Sequence, residues 1–186
     1  MKYLFVLLFL AIASAASAQA PNAWAATNGQ ISFFSETPVE NIHATNSEVG
    51  SVLEPATGKI VFRAVMKKFM FENATMQEHF NDNYMESARF PNAEFDGVIV
   101  NHQNIDFTKR AIVSVTVKGK LTIHGVTREV EMPAKLDISA DRIRAYTSFN
   151  VRLEDYNIRV PDMVVTKIAE VIRVDINVVY KRPGAR

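Results

Sequence analysis

The chain has 186 residues, 21 Lys and Arg against 20 Asp and Glu, and no cysteine. That length fits one domain. Balanced charge gives no electrostatic basis for binding nucleic acid or an anionic membrane, and the missing thiols exclude disulfides, thiolate metal sites and thiol redox chemistry.

Lys2, the apolar run at 4–13 and the small residues Ala16, Ser17 and Ala18 predict a secretory signal peptide over residues 1–18. The apolar run is too short to span a bilayer. Cleavage after Ala18 removes Lys2 as its only charge and leaves 168 residues with no net charge. Residues 19–186 are then one exported domain, periplasmic or secreted. It has to hold together through its core, since an oxidising compartment offers it no disulfide.

After a linker at 19–24, strands are expected at 31–35, 39–44 and 58–66, with 67–71 extending the third one past a bend. At 73–85 the pattern changes. Met76, Phe80 and Tyr84 recur every four residues, and Asn73 is placed to cap a helix start. One amphipathic helix in an otherwise β chain is expected to act as a flap over one end of the fold. Strands resume at 93–101, 111–123, 126–139, 142–152 and 168–180, with a short helical turn at 162–167.

The strongest signal is the alternation on either side of His124 and Gly125. Val113, Val115, Val117, Leu121 and Ile123 share one face of the first strand. Val126, Val130, Met132, Ala134, Leu136 and Ile138 share one face of the second, broken only by Arg128. Two runs this long specify an antiparallel hairpin of about 40 Å with one dry face. Eight such strands close into a barrel or fold over as a sandwich. Strand length favours an extended eight-stranded antiparallel barrel, whose interior is filled by side chains or holds a small apolar ligand.

Chemistry-bearing motifs are few. The histidines at 43, 79, 102 and 124 have no metal-ligand spacing, and Glu78, His79 and Asp82 read as a solvated helix face. No serine-nucleophile elbow or phosphate-binding glycine loop is present, and Asp155 and Asp162 read as turn formers. Arg128 and His124 are the sole hints of polar chemistry near the dry face, and Arg128 is expected to carry its head into solvent. No metal, cofactor or catalytic residue is assigned. The aromatics say more: Phe69, Phe71, Phe80, Tyr84, Phe90 and Phe95 lie close together in sequence with Met66, Met70, Met76 and Met85. Flexible, polarizable methionines among phenylalanines suit a surface that moulds to an apolar ligand, although an ordinary core under a helix gives the same composition.

Four stretches resemble the YceI-like polyisoprenoid-binding proteins. They are Met76-Gln77-Glu78-His79-Phe80-Asn81-Asp82-Asn83-Tyr84-Met85-Glu86-Ser87, then Phe90-Pro91-Asn92-Ala93-Glu94-Phe95-Asp96-Gly97, then Gly119-Lys120-Leu121-Thr122-Ile123-His124-Gly125-Val126-Thr127-Arg128, and Asp155-Tyr156-Asn157-Ile158-Arg159-Val160-Pro161. The resemblance implies a lipocalin-like barrel in a bacterial periplasm, enclosing a long apolar molecule such as an isoprenoid or a quinone tail. A homodimer is a further implication.

The resulting expectation is a periplasmic carrier of a long-chain lipid, without chemistry. Its candidate ligand contacts are Phe69, Phe71, Met76, Phe80, Tyr84, Phe90, Phe95, Phe149 and Ile158. Phe149 rests on strand parity with Ile143, Ala145, Val151 and Leu153, and the others rest on nearness in sequence. The competing expectations are an enzyme acting on a lipid inside the barrel and an outer-membrane barrel.

Overall fold

The computed structural model describes residues 23–160 and 168–182. The expected signal peptide and the expected helical turn at 162–167 lie outside the described residues. Among those described, the strands are β1 (Trp24–Glu36), β2 (Asn41–Glu54), β3 (Lys59–Val65), β4 (Met70–Phe71), β5 (Asn92–Ile99), β6 (Ala111–Ile123), β7 (Val126–Ile138), β8 (Arg142–Arg152) and β9 (Val171–Lys181). They pair antiparallel in the order β1-β9-β8-β7-β6-β5-β3-β2, and β1 also pairs with β2, so eight strands close into a barrel. The sandwich alternative is therefore excluded. The two-residue β4 adds to the outer part of β2.

The β6–β7 hairpin keeps register through thirteen pairs, from Ala111↔Ile138 to Ile123↔Val126. His124 and Gly125 both have positive φ, 50° and 73°, the geometry of the two-residue turn whose twist matches that of the strands it joins. With the register fixed, Val117, Leu121, Met132 and Leu136 point inward, while Lys118, Lys120, Glu129, Glu131 and Lys135 are exposed. β8 and β9 repeat the pattern, with Ile143, Ala145, Val151, Val178 and Tyr180 buried. This orientation is the reverse of an outer-membrane barrel, which turns apolar residues to lipid and polar ones to the lumen.

β1 and β2 are much longer than their alternation implied, because both carry bulges. Register slips between Ala26 and Gly29 and again between Gly29 and Ile31, so the dry face changes parity partway along. Asn46 sits at the β2 slip, fully buried, accepting from Glu48 N at 2.9 Å and donating to Val65 O at 3.0 Å. The second of these bonds fixes the end of β3. There a single 3-10 turn at Met66–Lys68 breaks the strand before β4 resumes along β2, which is the expected bend. Val39, expected in a strand, lies in the β1–β2 turn, where Thr37 accepts from Glu40 N and donates to Glu40 O.

One end of the barrel is filled. Tyr180, Leu53, Ile138, Ile143, Val49 and Val178 are almost wholly buried there. The approach is close enough that a Cβ on Gly29 would come within 3.2 Å of Val178. Tyr180 Oη lies 2.7 Å from Ser51 Oγ, which in turn donates to Val61 O at 2.7 Å. Burial pushes the Tyr180 phenol well above its ordinary value, and the bond with Ser51 offsets only part of that. The unfolded phenol ionises near about pH 10, while the folded one keeps its proton to higher pH. Its contribution is thus complete below that value and is lost as pH rises further, by about 1.4 kcal/mol per pH unit. Replacing Tyr180 with Phe should cost about 1 kcal/mol at neutral pH and flatten the alkaline fall in Tm. Thermal melts of both proteins across that range check this, and identical slopes would contradict it.

Candidate ligand-binding site

The other end is hollow. A cavity of about 500 Å³ lies between the filled end and the helix, with walls drawn from all eight barrel strands. Ile31 and Phe33 come from β1, Phe62 from β3, Val117 and Leu121 from β6, Met132 from β7, and Ile172 and Val174 from β9. That volume falls within the range of small-molecule pockets.

The helix closes over this end in two pieces. Asn73 Oδ1 accepts from Thr75 N at 2.8 Å and Met76 N at 3.3 Å, the expected cap, and α1 runs over Ala74–His79. Residues Phe80–Tyr84 then form a π-helical turn, closed by Met85 N donating to Phe80 O at 2.9 Å. The wider turn brings Met85 to the cavity beside Met76, Phe80 and Tyr84. Phe80 anchors the flap. Its ring lies 5.5 Å from Phe33, 5.7 Å from Phe69 and 5.0 Å from Phe71, centroid to centroid. Glu78 and Asp82 are exposed on the flap away from the cavity, whereas His79, also exposed, lies at the cavity's rim.

Two glycines make room for Phe95. Gly97 and Gly119 face each other across β5 and β6. A Cβ on Gly97 would lie 2.5 Å from the Phe95 ring, and one on Gly119 2.9 Å from it. The tip of the ring sits over the bare backbone pair, and Phe95 lines the cavity from there.

The wall also has a seam. β7 and β8 pair only from Lys135↔Tyr146 to Ile138↔Ile143. The next rung would place Pro133 opposite Ser148, and proline has no N–H to give. Thr147 Oγ1 donates to Pro133 O at 2.7 Å in its place. Past that point the strands separate, and residues 153–158 lie along β7 as a strap. Arg128 Nε donates to Asp155 O at 2.9 Å, so Arg128 braces the wall, beyond the solvent role expected of it. Leu153 and Ile158 face the cavity while Tyr156 is buried behind them. Burial raises the Tyr156 phenol, Asp155 adds to the shift and Arg128 opposes it; burial alone raises Tyr84.

Eight of the nine expected contacts line this one cavity: Phe69, Phe71, Met76, Phe80, Tyr84, Phe95, Phe149 and Ile158. Phe90 does not. Its ring packs edge-on to His124 at 4.5 Å and sits where a Cβ on Gly125 would fall, so it props the hairpin turn from outside. Of the hairpin residues, Val117, Leu121, Ile123, Met132, Ala134 and Leu136 line the cavity, whereas Val115 and Val130 pack within the wall. Phe33 was not singled out from the sequence, although its ring packs against Phe69, Phe71 and the flap's Phe80. Its alternation with Ile31 and Ser35 is the signal that marks it.

A family model for the YceI-like domain matches residues 23–180, the whole barrel. The chain belongs to the YceI-like family. Solved structures with the same fold include a polyisoprenoid binding domain from Saccharophagus degradans implicated in plant cell wall breakdown. The TM-score is 0.76 at 15% identity, over 88% of this chain and 100% of that one. BcnA of Burkholderia cenocepacia aligns with a TM-score of 0.67 at 14% identity, over 81% of this chain and 95% of that one. The YceI protein of Campylobacter jejuni gives 0.56 at 14%, over 98% and 93%. No curated protein matches the sequence. The YceI-like barrel of this chain is thus hollow at the flap end and solid at the other, which gives a direct test. Enlarging an inward valine should be cheap at the hollow end and costly at the solid one. Val117→Phe is expected to change unfolding free energy by less than about 1 kcal/mol, and Val178→Phe to cost about 1–3 kcal/mol or more. Denaturant titrations of the two variants decide it, and equal penalties would mean that both ends are filled alike.

Proposed function

We propose that this protein is a carrier that holds the tail of a long-chain isoprenoid or quinone-type lipid in the barrel, working in the periplasm and leaving the lipid chemically unchanged. The observation that carries the proposal is the cavity of about 500 Å³ walled by Phe, Ile, Val, Leu and Met from all eight strands. Two of its polar lining residues serve the wall itself, and the others, among them Glu40, His79 and Glu94, are few beside the apolar side chains. Ser35 accepts from Ala169 N at 2.8 Å and Thr147 bridges the seam. Arg128 and His124, which an enzyme would have to recruit, spend hydrogen bonds on the backbone carbonyls of 155 and 156. The relative from Saccharophagus degradans, described as a polyisoprenoid binding domain, supports the same ligand class.

The magnitudes are sufficient. Each buried methylene contributes roughly 0.8 kcal/mol, and a micromolar Kd needs about 8 kcal/mol. About ten buried carbons reach that figure before ordering costs, and a tail of about twenty leaves a margin to cover them.

The experiment is organic extraction and native mass spectrometry of protein purified without detergent, followed by titration with all-trans-retinol, an isoprenoid alcohol whose own fluorescence reports an apolar site. Co-purified lipid, or saturable retinol binding that Val117→Phe weakens by occupying the cavity, is the expected result. An empty protein that takes up no retinol would refute the proposal.

A further inference from the structure

The β6–β7 turn carries a histidine with both ring nitrogens engaged. His124 Nδ1 lies 3.2 Å from the backbone oxygen of Tyr156, and Nε2 lies 3.1 Å from Glu86 Oε1. The side chain is only 10% exposed. Its two partners belong to the two irregular parts of the cavity wall. Glu86 follows the π turn that places Tyr84 and Met85 on the cavity, and Tyr156 sits on the strap between Leu153 and Ile158, which also line it. The hairpin is the rigid member of the trio, paired along its full length. Glu86 has φ of 43°, a conformation that costs a non-glycine residue free energy and persists where its surroundings impose it.

Both partners accept hydrogen bonds. A carbonyl oxygen and an ionised carboxylate offer no proton, and a neutral imidazole has a single N–H. The two bonds coexist only when the His124–Glu86 pair holds one proton more than a neutral ring and an ionised carboxylate supply. Charged groups at this junction are Glu86 and Arg89 after the flap, Arg128 from β7 and Asp155 from the strap, the last two both acting on Tyr156, while Glu154 pairs with Arg152. Arg89 Nη1 is 3.6 Å from Glu86 Oε2, and Arg128 is committed to Asp155 O.

We propose that His124 is a positioning residue that ties the flap and the strap to the hairpin in a proton-dependent way, and so sets how long the cavity keeps its ligand. This rests on the lipid-carrier reading for its consequence, though not for the tie itself. Histidine gains its proton between about pH 8 and pH 5. Falling pH therefore completes the bridge and slows release, while rising pH leaves one of the two bonds unmade.

The test is the rate at which retinol-loaded protein transfers retinol to phosphatidylcholine vesicles, compared at about pH 5 and about pH 8. Wild-type release should be about tenfold slower at the lower pH, the fold-change expected for one charge-assisted hydrogen bond. His124→Gln cannot take the extra proton and should release fast at both. Glu86→Gln should release slowly at both, because its amide donates to Nε2 while Nδ1–H donates to Tyr156 O. A purely structural histidine would make the two variants fail in the same direction. Wild-type release that ignores pH, or pH dependence that survives in either variant, overturns the proposal. Amide exchange over 84–90 and 153–158 in ligand-free protein reads the tie separately. Protection, corrected for intrinsic rates, should be greater at the lower pH in wild type and at neither pH in His124→Gln. Protein that takes up no retinol defeats the carrier reading, and exchange that shows no such pattern defeats the tie.

Discussion

The barrel exists because β1 pairs on both sides, with β2 at one edge and β9 at the other. That double pairing brings the first and last strands together and leaves an interior that eight rows of inward side chains have to fill. An eight-stranded closure is just wide enough for side chains to fill it, or for one small ligand. This chain divides the length between the two outcomes. Bulky residues such as Tyr180, Leu53 and Ile143 meet at one end, where Gly29 is needed to let Val178 fit. At the other end the rows are held apart, and the space between them is the cavity.

What holds them apart is a set of local departures from regular structure, each with a cause in one or two residues. The Gly97–Gly119 pair lets Phe95 lie against the wall. The π turn adds a residue to the flap so that Met85 reaches the interior with Phe80 and Tyr84. Pro133 stops the β7–β8 ladder and makes way for the strap. Regular strands supply the frame, and the irregular segments shape the site. A ligand pocket with a defined form is the product of both.

The legibility of the sequence follows the same division. β6 and β8 were legible to the residue because their alternation is unbroken, and that alternation fixed both the hairpin turn and the inward position of Phe149. β1 and β2 were legible only in part, because period-2 reading fails across a bulge. Phe33 lies past both slips, in the regular stretch from Ile31 to Glu36, so its parity with Ile31 and Ser35 was readable there. The helix could be seen from Met76, Phe80 and Tyr84, but its π turn could not, because nothing in a single sequence marks where the ladder widens. Phe90 shows the opposite error. It stands between Tyr84 and Phe95 in the chain, yet Pro91 and the start of β5 set it outside the wall, against His124. Nearness in sequence located the aromatic cluster without telling which side of the wall each ring faces.

A closed barrel is one of the few β architectures that has no free edge, which protects it from pairing with other chains. The seam at Pro133 gives that protection up locally. Beyond it, β7 and β8 each turn one row of backbone groups away from any ladder partner among the described residues, so two short edges are embedded in an otherwise closed sheet. The strap over 153–158 covers the β7 edge, held there by side chains of His124 and Arg128 from the neighbouring hairpin. It therefore guards against aggregation as well as forming part of a wall. The opening that admits an irregular wall to the cavity is also the place where a second copy of the chain could add a strand, and those two side chains stand against that exchange.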